Sequence, residues 1–92
     1  MKEEETLWLK SQIRQGRLQE AEQWLHKALT ECPADDQLYF WMGNLERQRN
    51  NFPRALEHYA TAMEMNAESP AREAHGMLMD ILRFYDVDRY NV

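Results

Sequence analysis

The sequence predicts an all-α fold: two copies of a helix pair, closed by a fifth helix. Three observations predict it. Apolar residues recur at helical spacing along most of the chain. The chain overlays itself at an offset of 34 residues. Helix-stop and helix-start residues fall at matching points of the two copies.

The overlay places Ala21 on Ala55, Ala28 on Ala62, Leu18 on Phe52, Leu25 on Tyr59, Trp8 on Met42 and Gly16 on Asn50. Small residues meet small ones, large apolar residues meet large ones, and turn formers meet turn formers. Each element then follows in order. A first helix is expected near 3–15, with Trp8, Leu9 and Ile13 as its apolar stripe. It ends before Gly16, a residue suited to the left-handed cap. A second helix near 18–31 carries Leu18, Ala21, Leu25, Ala28 and Leu29, and Pro33 ends it. The third, near 36–49, is capped by Asp35 or Asp36, carries Leu38, Tyr39, Met42 and Leu45, and stops at Asn50. The fourth, near 52–66, starts on Asn51 with Pro53 in its first turn, where the missing N–H costs nothing. Its stripe is Phe52, Ala55, Leu56, Tyr59, Ala62 and Met63. Ser69-Pro70 opens a fifth helix near 70–85, with Ala71, Ala74, Leu78, Ile81, Leu82 and Tyr85 apolar. The remaining 86–92 reads as a tail, turn-like at Asp86-Val87-Asp88. With Phe84, Tyr85 and Tyr90 it is aromatic. It folds back on the fifth helix, fills a groove, or reaches a second molecule.

Length and composition fit this reading. Ninety-two residues make a single domain, 1–92, with repeat one at about 2–35, repeat two at about 36–69 and a capping helix at about 70–85. The chain is 43% hydrophobic and 29% charged, a mix that folds rather than stays disordered. Its net charge of −5, with eleven scattered Lys and Arg, argues against nucleic acid as a partner. The longest basic cluster is Arg47-Gln48-Arg49. The start Met1-Lys2-Glu3-Glu4-Glu5 is too acidic for a signal peptide, and no apolar run approaches a membrane span. A cytoplasmic location is expected. Cys32 is the sole cysteine and cannot form an internal disulfide; it is expected to be half-buried and passive, because a helix C-terminus disfavours the thiolate.

Catalytic patterns are missing from the sequence. His26, His58 and His75 fall on three different helices without metal-ligand spacing. The three glycines are isolated, so no phosphate-cradling loop is present. Asp35/Asp36 and Asp86/Asp88 read as caps and solvated tail. Neither an enzyme nor a cofactor is expected.

The two units resemble the tetratricopeptide family. Its 34-residue helix-turn-helix unit reads W-x2-L-G-x2-Y, then A-x3-F, then A, then P. The second unit carries Tyr39, Met42, Gly43, Ala55, Tyr59 and Ala62 at those positions and departs at Glu46 and Ala67. The first carries Trp8, Ala21, Leu25, Ala28 and Pro33, with Gly16 at its turn, and departs at Glu5, Leu9 and Gln12. The resemblance implies a right-handed α-α superhelix of two helix pairs plus a capping helix. Packing supports the pattern independently: Ala21, Ala28, Ala55 and Ala62 are small where paired helices are expected to approach most closely, and Gly43 is expected to let Ala55 come near. The function the resemblance implies is to bind a peptide or protein segment in a concave groove; the alternative is a structural homo-oligomer, such as a weak homodimer.

Carried over position by position, the groove candidates are Thr6, Lys10, Ile13 and Arg14 in the first unit. In the second they are Gln37, Phe40, Trp41, Asn44, Arg47 and Gln48. In the fifth helix they are Ala71, Ala74, His75 and Leu78. The carboxylate clamp that some members use on chaperone tails is not expected. Its Lys, Asn, Asn, Lys and Arg are replaced by Thr6, Lys10, Trp41, Ala71 and His75. Lys10, Arg14 and Arg47 would line the groove with positive charge and suit an acidic ligand. Leu38 to Met42 are five apolar residues in succession. One face cannot hold them all, so Phe40 or Trp41 is expected outward as an interface anchor, or else packed on a neighbouring helix. Trp24, on the outer side of its helix, favours self-association.

Overall fold

Local hydrogen bonding sets the helix ends. In a computed structural model of the chain, residues 1–90 are described, with side chains through Phe84. Five helices follow one another and no strand occurs among the described residues: α1 (Glu3–Arg14), α2 (Leu18–Glu31), α3 (Asp36–Gln48), α4 (Phe52–Met65) and α5 (Ala71–Tyr90). At the start of α1 the Glu5 carboxylate accepts the Lys2 N–H at 2.8 Å, one half of a capping box. Asp35 caps α3 by accepting the Gln37 N–H at 3.0 Å, and Asn51 caps α4 by accepting that of Arg54 at 3.4 Å. Ser69 Oγ accepts the Ala71 N–H at the start of α5. Gly16 (φ 81°) and Asn50 (φ 65°) adopt the left-handed conformation after α1 and α3. Their neighbours' N–H groups then reach back, Arg17 to Gln12 O and Asn51 to Glu46 O, each at 2.9 Å, and satisfy carbonyls the helix leaves open.

The fifth helix is longer than its sequence suggests. Its backbone stays helical through Asp86-Val87-Asp88 to Tyr90, where a turn was expected. No Gly or Pro follows Pro70 except Gly76, and two aspartates alone do not break a helix already packed on α4. The side chains of Tyr85 and Tyr90, and residues 91–92, lie outside the described part.

Each helix packs mainly on the next, α3 on α4 most extensively, and α1 also touches α3. The chain forms an elongated body of 47 × 29 × 19 Å. Two cores result. The first joins Leu9, Ile13, Ala21, Leu25, Leu38, Met42 and Leu45; the second joins Ala55, Tyr59, Ala62, Ala71 and Leu78. Helix α3 stands between them. Leu38 and Met42 are buried in the first core and Trp41 packs against it, while Tyr39 and Phe40 pack against the second. Phe40 thus packs on a neighbouring helix, the second of the two outcomes expected for it, while Trp41 stays partly exposed. With a core on each side, all five are buried or half-buried.

Three further expectations change. Gly43 makes room for Tyr59 rather than Ala55: a Cβ there would fall 2.5 Å from Tyr59 Cδ1. Trp8 is 37% exposed, because Leu9 takes the inward position; its ring lies 6.0 Å from that of Trp24, which is half-buried against the first core. Cys32 is exposed, since it sits beyond the last turn of α2 and no helix covers it.

Candidate functional site: a groove between α1, α3 and α5

The odd-numbered helices frame an open groove of about 680 Å³. Lys10, Ile13 and Arg14 of α1 form one side, and Leu78 and Ile81 of α5 the other. Trp41, Asn44, Arg47 and Gln48 of α3 form the floor, closed at one end by Asn50 and Phe52. The helical repeat explains the selection. Lys10 and Arg14 are one turn apart on α1, and Trp41, Asn44 and Gln48 succeed one another along a single stripe of α3.

Seven of the residues singled out from the sequence meet here: Lys10, Ile13, Arg14, Trp41, Asn44, Arg47 and Gln48, and Leu78 joins them. Six do not line it. Thr6, Gln37 and His75 each lie one turn before a lining residue, so the groove occupies only the later turns of its helices. Phe40 is turned away: its ring lies 6.1 Å from Tyr59 and 5.4 Å, edge-on, from Trp41. Ala71 is buried in the second core and Ala74 packs against it. Asn50, Phe52 and Ile81 were not singled out for the groove. Asn50 and Phe52 carry a signal only as turn and stripe residues, and Ile81 only as a stripe residue.

The floor is held in place from below. Tyr59, fully buried, donates its hydroxyl proton to Asn44 Oδ1 at 2.5 Å. Burial pushes the Tyr59 hydroxyl above the usual phenol range, and the neighbouring Arg47 guanidinium partly offsets this. The Asn44 amide is thereby oriented with Nδ2 left to donate.

Away from the groove, Arg49 ties two helices together. It pairs with Glu22 of α2 and, at 3.1 Å, with Glu46 of α3, whose side chain is buried. The hydrogen bond from Arg49 holds the Glu22 carboxyl below the usual carboxylate range. His58 of α4 borders this cluster, and burial pulls its imidazole below the usual range despite the nearby Glu46. A second hollow, of about 410 Å³, is bounded by Lys2, Glu5, Trp24, Lys27, Glu31 and Cys32, among others, with charges of both signs. Among the described residues no three His, Cys, Asp or Glu side chains converge as a metal would require, and no helix is long and apolar enough to cross a membrane.

Fold and site define an all-α protein, of five helices among the described residues, with an open groove whose lining carries three cations and no carboxylate. Neither a protein-family model nor a curated protein matches the chain. A solved structure does: Bacteroides fragilis protein BF1650, determined in solution by NMR, is 40% identical, with a TM-score of 0.82 over 99% of this chain and 91% of that one. The chain belongs to the same family as that protein.

Proposed function

We propose that the chain is a cytoplasmic interaction module of the tetratricopeptide type, which holds a segment of another protein in the groove between α1, α3 and α5 and catalyses nothing. The observation that carries this is Trp41: a large aromatic side chain, half-buried in the groove lining, in company with Lys10, Arg14 and Arg47 and with the partly exposed Ile81. Aromatic and Arg side chains so placed supply most of the binding energy at protein interfaces. The tetratricopeptide reading is supported by equivalences 34 residues apart: left-handed Gly16 and Asn50, buried Ala21 and Ala55, buried Leu25 and Tyr59. It implies a right-handed superhelix with the groove on its concave side.

A second reading, assembly with copies of itself, is favoured by Met77, Ile81 and Phe84, which lie exposed along α5 at helical spacing. One experiment separates the two. The chain and a Trp41→Ala/Arg47→Ala variant of confirmed helicity are used as baits in a lysate of the source cell, with bound proteins identified by mass spectrometry. A partner kept by the wild type and lost by the variant supports the groove. Equal recovery by both places binding elsewhere, and recovery of the chain alone favours self-assembly.

A further inference from the structure

We infer that the groove's guest is an acidic peptide segment carrying one aliphatic or aromatic anchor, an inference that rests on the groove reading above. The first argument is charge. Lys10, Arg14 and Arg47 are the ionised groups of the lining, which contains no Asp or Glu. This occurs in a chain with sixteen acidic and eleven basic residues, so the groove runs against the sign of the whole molecule. Among the described residues none of the three makes an ion pair, whereas the nearby Arg49 is tied to both Glu22 and Glu46. Cations in a concave, partly apolar setting without their own counter-charges raise the local potential and favour carboxylates there.

The second argument is hydrogen bonding. Because Asn44 Oδ1 is engaged by Tyr59, the amide offers the groove donors, suited to a backbone carbonyl of the guest. Donors from Lys10, Arg14 and Arg47 add to it, so the polar part of the lining is dominated by donors and suits a ligand rich in acceptors.

The third argument is the apolar part of the lining. Ile81 of α5 lines the groove together with Trp41 and is 38% exposed, whereas Leu78 is fully buried. A guest offering only negative charge would leave that surface in water; an apolar side chain seated on Trp41 and Ile81 would cover it. The same feature disfavours a nucleic-acid strand, whose phosphates need a longer cationic track than three residues in a chain of net charge −5.

Selection of short random peptides displayed on phage, panned on the whole chain, tests the inference. Winners are resynthesised and measured against wild type, Trp41→Ala, and Lys10→Gln/Arg14→Gln. Both residues of the double variant are exposed on α1, so the fold is retained. Expected winners are rich in Asp and Glu around a single Leu, Ile, Met or Phe. They lose about tenfold in affinity on Lys10→Gln/Arg14→Gln, and they weaken as salt rises. Winners that need Trp41 but are neutral or basic would overturn the acidic guest and leave the groove standing. Winners indifferent to Trp41 would overturn the groove reading itself. A poly-dT oligonucleotide that displaces the acidic winners at equal concentration would overturn the choice of a peptide.

Discussion

The two helix pairs solve one packing problem differently. At equivalent points of the 34-residue unit, the first pair places Leu9 opposite Leu25 and the second places Gly43 opposite Tyr59. All four are buried. Two medium side chains fill the first joint; a large ring against an empty glycine fills the second. The choice has consequences. The glycine lets α3 and α4 approach over the most extensive contact in the molecule, and the tyrosine hydroxyl reaches through to fix Asn44 on the groove floor. The leucine joint packs but has no polar end to position anything. A joint can therefore be built for filling alone, or for filling and orienting a surface side chain at once.

The largest effect expected from breaking this contrast is at Tyr59. Tyr59→Ala empties the second joint and should cost on the order of 4 kcal/mol in urea denaturation, more than Leu25→Ala at the first. Gly43→Ala, which drives a methyl into the ring, should cost roughly 1–3 kcal/mol despite the better helix propensity of alanine. Gly43→Leu/Tyr59→Leu, which imports the leucine joint, should be more stable than Gly43→Leu alone. A neutral Gly43→Ala would mean that the ring has room to shift and would abolish the distinction.

A smaller contrast concerns the polar residues buried one turn further on. Gln12 and Glu46 are again equivalent, 8% and 3% exposed. Glu46 accepts from Arg49, while Gln12 Oε1 is buried without a hydrogen-bond partner. Gln12→Leu should therefore raise stability by roughly 1 kcal/mol, because a desolvated and unsatisfied group is removed, and Glu46→Leu should lower it by about as much. If both changes moved the midpoint in the same direction, the partner's role would be refuted.

The smallest effect is one of pH. The imidazole of His58 is harder to protonate in the folded chain than in the unfolded one, because it is half-buried. The unfolded state thus takes up the proton first, and stability falls as pH drops below about 6.5 toward the lowered folded value. His58→Gln should flatten the denaturation midpoint between about pH 7.5 and about 5.5 relative to wild type. An unchanged slope would show that other groups carry the dependence.

How legible these features were depended on the range of the forces involved. The starts and ends of α1 to α4 could be read to within a residue, because Asp35, Asn51, Gly16 and Asn50 act on backbone groups only a few positions away. The end of α5 lies beyond the expected one: Asp86 and Asp88 read as a turn, whereas the backbone stays helical to Tyr90. In the groove, residues on the repeated stripe of α3 and α1 could be found from spacing. Phe40 could not be placed, since one position along a helix turns a side chain by 100° and decides between two cores. Asn50, Phe52 and Ile81 come from the α3–α4 turn, the start of α4 and α5, and only the docking of the helices brings them to one groove.

By itself the sequence determined five helices, their order, their caps and the small residues at the joints, because each rests on contacts within a turn or on a period of the chain. Only the tertiary structure decided that Tyr59 rather than Ala55 fills the space at Gly43 and that Trp8 lies outside while Leu9 lies within. It also decided that Lys10 and Arg14 of α1, Trp41 and Arg47 of α3 and Ile81 of α5, from helices far apart in sequence, line one groove. Those outcomes depend on how rigid helices dock, and docking is set by the sum of many side-chain volumes rather than by any local signal.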